Sequence, residues 1–365
     1  MQRPSLHRQE RNLILAALVG AVAFYAEHTI LEAGRLMSLA AAFVLIVTIV
    51  LASIRIAHHA EILAVKVGDP YGTMILTLAA VAVEIIVLGI MMRHETSPTL
   101  VRDTIYAAVM LDINGILGLA ALLGGLKHGE QPYNDDSSRT YGVMILTAMS
   151  ISMIVPEFIP QAKWHLYSAF TIFAMIALYS LFVQMQVGRH SYFFHYAYPR
   201  PEQPDYGPPN IAPDEPATVS IVAILAGVVI IGVLAEFMSA FMNASVRGTA
   251  APPALAAIVV AAISAAPEIL TALRAALRNR MQATINIAMG ASLSTVILTV
   301  PAMEALALST GQPFDMAMTP VQTVMIAVTL IAAAINLNDG ETNAIEGMTH
   351  FILFATFIML SLIGL

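Results

Sequence analysis

The sequence predicts an all-α polytopic membrane protein, and three observations carry that prediction. Of its 365 residues, 58% are hydrophobic and only 11% charged, against about a quarter charged in an ordinary soluble chain. Apolar runs of about 20 residues, the length needed to cross roughly 30 Å of hydrocarbon, recur from one end of the chain to the other. Carboxylates nevertheless stand inside several of these runs, as in MILTLAAVAVEIIVLGIMM, where Glu84 sits near the middle. So little polar material cannot cover a soluble domain of this size. The absence of cysteine excludes a disulfide framework and a thiolate metal site. The net charge of -7 carries little information, because the acidic excess is spread over loops and a linker.

The first span, near 12–31, follows a short basic segment, MQRPSLHRQERN, and has no small-residue cleavage site after it, so it is expected to be retained. Spans follow near 36–57, 72–92, 102–126, 141–160 and 165–187, then near 218–240, 252–273, 282–306, 319–337 and 345–364, making eleven. Between the sixth and seventh lies YPRPEQPDYGPPNIAPDEP, whose seven prolines and four acids predict an extended, solvent-exposed linker. The expected organisation is a tail and first helix over 1–35, a five-helix repeat over 36–187, a cytoplasmic linker over 188–217 and a second five-helix repeat over 218–365. With the N-terminus inside, Arg3, Arg8, Arg11, Arg55, Lys66, Lys127, Arg139, Arg189, Arg200, Arg274, Arg278 and Arg280 face the cytoplasm. Arg35, Arg93, Arg102, Lys163 and Arg247 face out, and twelve against five predicts N-in, C-out.

The repeat is read from layout. TLAAVAVEIIVLGIMM and AAISAAPEILTALRAA are each the second span of their half, each with one internal glutamate, Glu84 or Glu268. Each is followed by a glycine-bearing span. Five spans is an odd number, so two such halves in succession insert with opposite topology, the architecture in which substrate sites sit near the bilayer midplane. A charged side chain at a helix centre costs about 2.5–3.5 kcal/mol on insertion scales. A protonated glutamate hydrogen-bonded to a neighbouring helix would explain either acid alone. Two acids brought together by a pseudo-two-fold axis need a shared proton or a cation between them. A site that can use either remedy exchanges cations for protons.

Supporting groups are expected close by. Pro267 removes a helical N–H and clashes with the carbonyl of Ile263, freeing the carbonyls of Ile263 and Ser264 as hard oxygen ligands for Ca²⁺ or Na⁺; an ordinary kinked helix is the plainer alternative. Ser264, Ser292, Ser294, Thr77 and Asn286 can add oxygens or simply pack helices together. Asp112, in VMLDINGILG, is a third intramembrane acid. Glu61 and Glu236 end the second and seventh spans as repeat partners, either as interfacial charges or as a proton relay to the central pair. His58 and His59 lack a second histidine cluster and are read as headgroup-level residues. Glu27, His28, Glu157 and Glu304 receive no role, and the 21 methionines are read as packing residues.

These residues resemble the calcium/cation antiporter superfamily, and within its cation-exchanger branch the bacterial ChaA-type calcium/proton antiporters. The resemblance covers nearly the whole chain and is carried by AEILAVKVGDPYGTMILTLAAVAVE, SAAPEILTALRAALRNRMQATINIAMGASLSTVILTVP and LNDGETNAIEG, the last similar to a DGxSNxLEG element before the final span. LAEFM at Glu236 and HAEILA at Glu61 look like a further matched pair. The resemblance implies that Glu84 and Glu268 bind the transported cation and take up protons, and that Glu61 and Glu236 serve proton passage. Many exchangers of this branch have GNAxE around the key acid. Here the glycine and asparagine positions read Ala80 and Val81 in one repeat and Ser264 and Ala265 in the other. Asp112 stands where many relatives carry asparagine.

The expected function is therefore alternating-access exchange of cytoplasmic Ca²⁺ for external protons across a bacterial inner membrane, with Glu84, Glu268, Ser264 and Asp112 as metal-binding residues. Na⁺ or K⁺/H⁺ antiport through the same site is the nearest rival, and a cation channel a more distant one. No nucleophile–base pair or metal-ligand box indicates an enzyme. The expected partners are the lipid bilayer, the transported cations and protons, with no prosthetic group and no nucleic acid.

Overall fold

The structure is a computed structural model that describes residues 10–67, 71–94, 97–188, 191–194, 196, 216–246, 254–312 and 314–365. Nearly all of the predicted linker lies outside the described residues, as do Arg3, Arg8, Arg189, Arg200 and Arg247 of the charge count. Eleven long helical segments account for most of the rest. They are α1 (Arg11–Glu32), α2 (Arg35–Val67), α3 (Tyr71–His94), α4 (Leu100–His128), α5 (Asp135–Phe158), α6 (Trp164–Val187), α7 (Ala217–Val246), α8 (Ala254–Ala276), α9 (Met281–Thr310), α10 (Pro320–Asn336) and α11 (Ala344–Leu362). Among the described residues nine helices are long and apolar enough to cross a bilayer, and α10 is a shorter apolar helix.

Two helices run past their expected ends. The hydropathy of the second and seventh spans fades near 57 and 240, yet α2 continues to Val67 and α7 to Val246. Polar residues such as Arg55, His58 and Glu61 in the one, and Ser239 and Asn243 in the other, do not break a helix, and both stay helical through them. Glu61 and Glu236 consequently lie inside helices rather than at their ends.

The helices cluster into two compact units, one formed by Met1–Ser97 with Ile211–Ala251 and the other by Pro98–Asn210 with Pro252–Leu365. In the first unit α1, α2, α3 and α7 pack together. Small residues permit the approach: a Cβ on Gly227 of α7 would lie 2.7 Å from Ile56 of α2, and one on Gly232 would lie 3.3 Å from Ile86 of α3. Without a hydrophobic force between helices in lipid, small residues that let a neighbour's side chain pack onto the backbone help hold a pair together.

In the second unit α4 and α9 are the most enclosed helices, with 78% and 67% of their apolar windows buried against 17% for α6. Each contains a π-helical segment, Leu111–Leu117 in α4 and Thr295–Thr299 in α9. Leu111 lies 27 residues after Glu84 and Thr295 lies 27 residues after Glu268, so the wide turns recur at matched positions in the two halves of the chain. π-Turns inside α-helices are frequently found at functional sites.

The LNDGETNAIEG stretch has a structural reading in this unit. Gly340 adopts φ 81°, the left-handed region, and its carbonyl accepts the Tyr133 N–H. Glu341–Thr342 then pairs antiparallel with Gln131–Pro132, tying the α4–α5 connection to the α10–α11 connection. Asn343 caps α11 by accepting the N–H groups of Ile345 and Glu346. Gly347 packs backbone to backbone against α4: a Cβ there would lie 2.1 Å from the Leu122 nitrogen.

Candidate functional site

The acids singled out in the sequence divide between the units. The first holds Glu84 on α3, Glu61 on α2 and Glu236 on α7. Glu84 is buried at 3% exposure, and Glu61 and Glu236 are partly buried. The three helices that carry them pack on one another, and the Gly232–Ile86 approach lies one turn from Glu236 and half a turn from Glu84.

The second unit holds Glu268 and Ser264 on α8, and Asp112 on the π segment of α4. Glu268 is partly buried and directly follows Pro267, which sits inside α8 without ending it. Asp112 is 2% exposed, and Ser292 of α9, fully buried, donates a hydrogen bond to its Oδ2 at 3.1 Å. This bond joins the two enclosed helices at the one acid that the wide turn presents. Loss of the hydroxyl removes a buried hydrogen bond and leaves its partner oxygen without that donor, at a cost of about 1–3 kcal/mol. Ser292→Ala is therefore expected to lower thermal stability and change cation preference, whereas Asp112→Asn should change preference while keeping the bond. A cation panel in a flux assay, read beside a melting curve, checks both.

Ser264, Ser294 and Asn286 are each engaged by other groups. The Ser264 hydroxyl donates to the carbonyls of Val260 at 3.3 Å and Ala261 at 3.0 Å, which leaves its lone pairs as the part able to ligate. Ser294 donates to Gly290 and Ala291 in the same way. Asn286 accepts from Gln282 and donates to the Phe194 carbonyl, and so anchors the start of α9. Next to Asp112, Asn114 donates to Thr329 at 2.7 Å and pairs through its Oδ1 with His350 Nδ1 at 2.8 Å, bracing the π segment against α10 and α11. Sequence alone does not reveal this brace, because nothing in the spacing of an asparagine, a threonine and a histidine on three helices announces it.

His59, read from the sequence as a headgroup-level residue, has partners the sequence did not show. It is fully buried in the first unit, with Nε2 3.1 Å from Glu10 and Nδ1 3.4 Å from Ser220. Arg55 binds the same carboxylate through Nε at 3.1 Å and through a second nitrogen. Burial acts to raise the Glu10 pKa, but the hydrogen bonds and charges of Arg55 and His59 outweigh it and hold the carboxyl below its ordinary 4.5. A depressed carboxyl pKa contributes stability above the unfolded value and loses it as pH falls through the folded one. Glu10→Gln should therefore lower the melting temperature at neutral pH, and the difference from the parent should shrink as pH falls below about 5. Melting curves across that range in detergent check the sign.

The sodium/calcium exchanger protein family matches residues 37–188 and 219–363 of this chain. The chain belongs to that family. The sodium-potassium/proton antiporter ChaA of Escherichia coli K12 is 30% identical over 312 residues, covering 83% of this chain and 84% of its own length. A Ca²⁺/H⁺ antiporter of Aphanothece halophytica is 23% identical over 316 residues, covering 83% of each. The solved structure of native YfkE superposes with a TM-score of 0.74 at 17% identity over 96% of this chain and 99% of its own, which shows a shared fold. This is a multi-pass membrane protein of a cation antiporter family, and the relatives named here are transporters.

Proposed function

We propose that the protein exchanges cytoplasmic Ca²⁺ for external protons by alternating access, with Glu84 and Glu268 binding cation and protons in competition. What supports the reading most is the repeated arrangement in which each acid precedes, by 27 residues, a π-helical turn on the next long helix. Membership of an exchanger family supports it independently. Asp112 with its Ser292 bond, and the lone pairs of Ser264, would complete the oxygen donors, a set suited to hard cations. Glu61 and Glu236 would pass protons between the pair and bulk water from their partly buried positions on α2 and α7.

The cycle follows from the charges. Ionised, the two glutamates bind the cation on the inside. Protons arriving from outside neutralise them and expel it. The neutral site then returns, because an empty site with two buried negative charges is costly in a low dielectric. An inward proton gradient thereby drives export across a bacterial inner membrane, with the N-terminus inside.

One observation favours a second cargo: the relative at 30% identity is named for sodium, potassium and protons. Proteoliposomes tested over a panel of cations decide between the two. Proton movement driven by Ca²⁺ supports the first reading. Proton movement driven by Na⁺ or K⁺ with calcium chelated supports the second, and cation conductance without proton coupling would remove both.

A further inference from the structure

Glu304 received no role from the sequence, yet the second unit treats it unusually. It lies on α9, twelve residues beyond Ser292, or about 18 Å along the helix axis at 1.5 Å per residue. It is 3% exposed, and its Oε2 finds no hydrogen-bond partner among the described residues. Ser168 of α6 stands in the same wall as the carboxylate. A buried carboxylate oxygen left without a donor is expensive unless a cation or a water meets it.

The carboxylate lines a cavity of about 510 Å³ at the end of α9, which also has Ser168, His165, Trp164 and Asp315 in its wall. A smaller recess of about 30 Å³ adjoins Glu304, Asp315 and Ser168. The larger volume admits an ion with several waters, since water occupies about 30 Å³ in the liquid. Among the described residues, no lysine or arginine lines either space. Arg102, bonded nearby to the Ala317 carbonyl, has its charge engaged by Asp103 at 2.8 Å. Asp315 is held in place by its own backbone: its N–H donates to the Pro98 carbonyl, and its Oδ1 accepts the Ala317 N–H. Two carboxylates, a hydroxyl and room for water, with His165 the one basic side chain among the described residues of the wall and no lysine or arginine, form an oxygen-donor set for a hard ion.

We propose that this cavity is a second cation site, in which Glu304 directly ligates a partly hydrated hard cation of the Ca²⁺ or Na⁺ class. The N-in orientation puts it on the outer side of the membrane, at the connection between α9 and α10. The site does not depend on which cation the central acids exchange, or on their exchanging one at all.

The test is equilibrium dialysis of the full chain in nanodiscs at neutral pH, with ⁴⁵Ca²⁺ in one arm and ²²Na⁺ in the other, in the Glu84→Gln/Glu268→Gln background. The expected result is saturable residual binding in at least one arm, weakened about tenfold or more by Glu304→Gln and several-fold by Asp315→Asn. Ser168→Ala, at a half-buried position, should weaken it by a smaller factor and guards against a misfolded Glu304 variant. Absence of saturable binding in both arms overturns the proposal, as does residual binding that Glu304→Gln leaves unchanged. A wild-type protein that fails to exchange would overturn the transport reading while the dialysis result for this cavity stood.

Discussion

Glu268→Gln is expected to weaken Ca²⁺ binding at the central site by about 10²–10³-fold and to stop exchange at physiological gradients. Glutamine keeps the size and one carbonyl oxygen of glutamate but loses its negative charge and the ability to take up a proton. Removing one partner of a buried ion pair costs about 3–5 kcal/mol, and each 1.4 kcal/mol is about tenfold in affinity. The proton side fails too, because a neutral amide offers nothing for the gradient to titrate. Glu84→Gln should behave alike, its carboxylate being buried at 3% exposure on α3. Isothermal titration with Ca²⁺ reads the affinity of each variant. Near-parental affinity in both would remove the glutamates from the site.

The second large effect concerns folding. Gly347→Val should cost the protein its packed state in the second unit, seen as a broadened or lost monodisperse peak and a melting temperature lower by many degrees. A Cβ at Gly347 would meet the Leu122 nitrogen at 2.1 Å and the Gly118 oxygen at 2.7 Å, and one at Gly118 would meet the Phe351 nitrogen at 2.9 Å. These neighbours are backbone atoms, which cannot rotate away. Overpacking typically costs about 1–3 kcal/mol, and more where nothing can yield. The two helices must separate, and the approach that replaces hydrophobic attraction in lipid goes with them. Gly142→Ala is the control: nothing lies within 4 Å of a Cβ there, so alanine's better helix propensity should leave stability equal or slightly higher.

How much of this was legible in the sequence differs from residue to residue. Span number was legible because hydropathy and length are local properties, and all eleven expected spans correspond to helices. Where helices end was less so. Glu61 and Glu236 looked terminal because polarity rises there, whereas helical hydrogen bonding continues through polar residues. The π turns left no trace in composition, since LDINGIL and TVILT contain the same residues as ordinary helix. Ser292 was one of several hydroxyls within plausible reach, and only the packing of α4 on α9 selects it as the partner of Asp112. The partner of His59 is Glu10, 49 residues earlier and outside any span, which no local pattern announces. The final motif was legible as a pattern, and its chemistry is a left-handed turn, a helix cap and a close crossing.

The most direct test of exchange at paired acids uses proteoliposomes holding the wild-type chain, Glu84→Gln or Glu268→Gln, with a pH gradient imposed and ⁴⁵Ca²⁺ followed against its own gradient. Uphill accumulation by the wild type that a protonophore abolishes, and that neither variant sustains, is the result expected here. Accumulation that both variants sustain at the wild-type rate would contradict it.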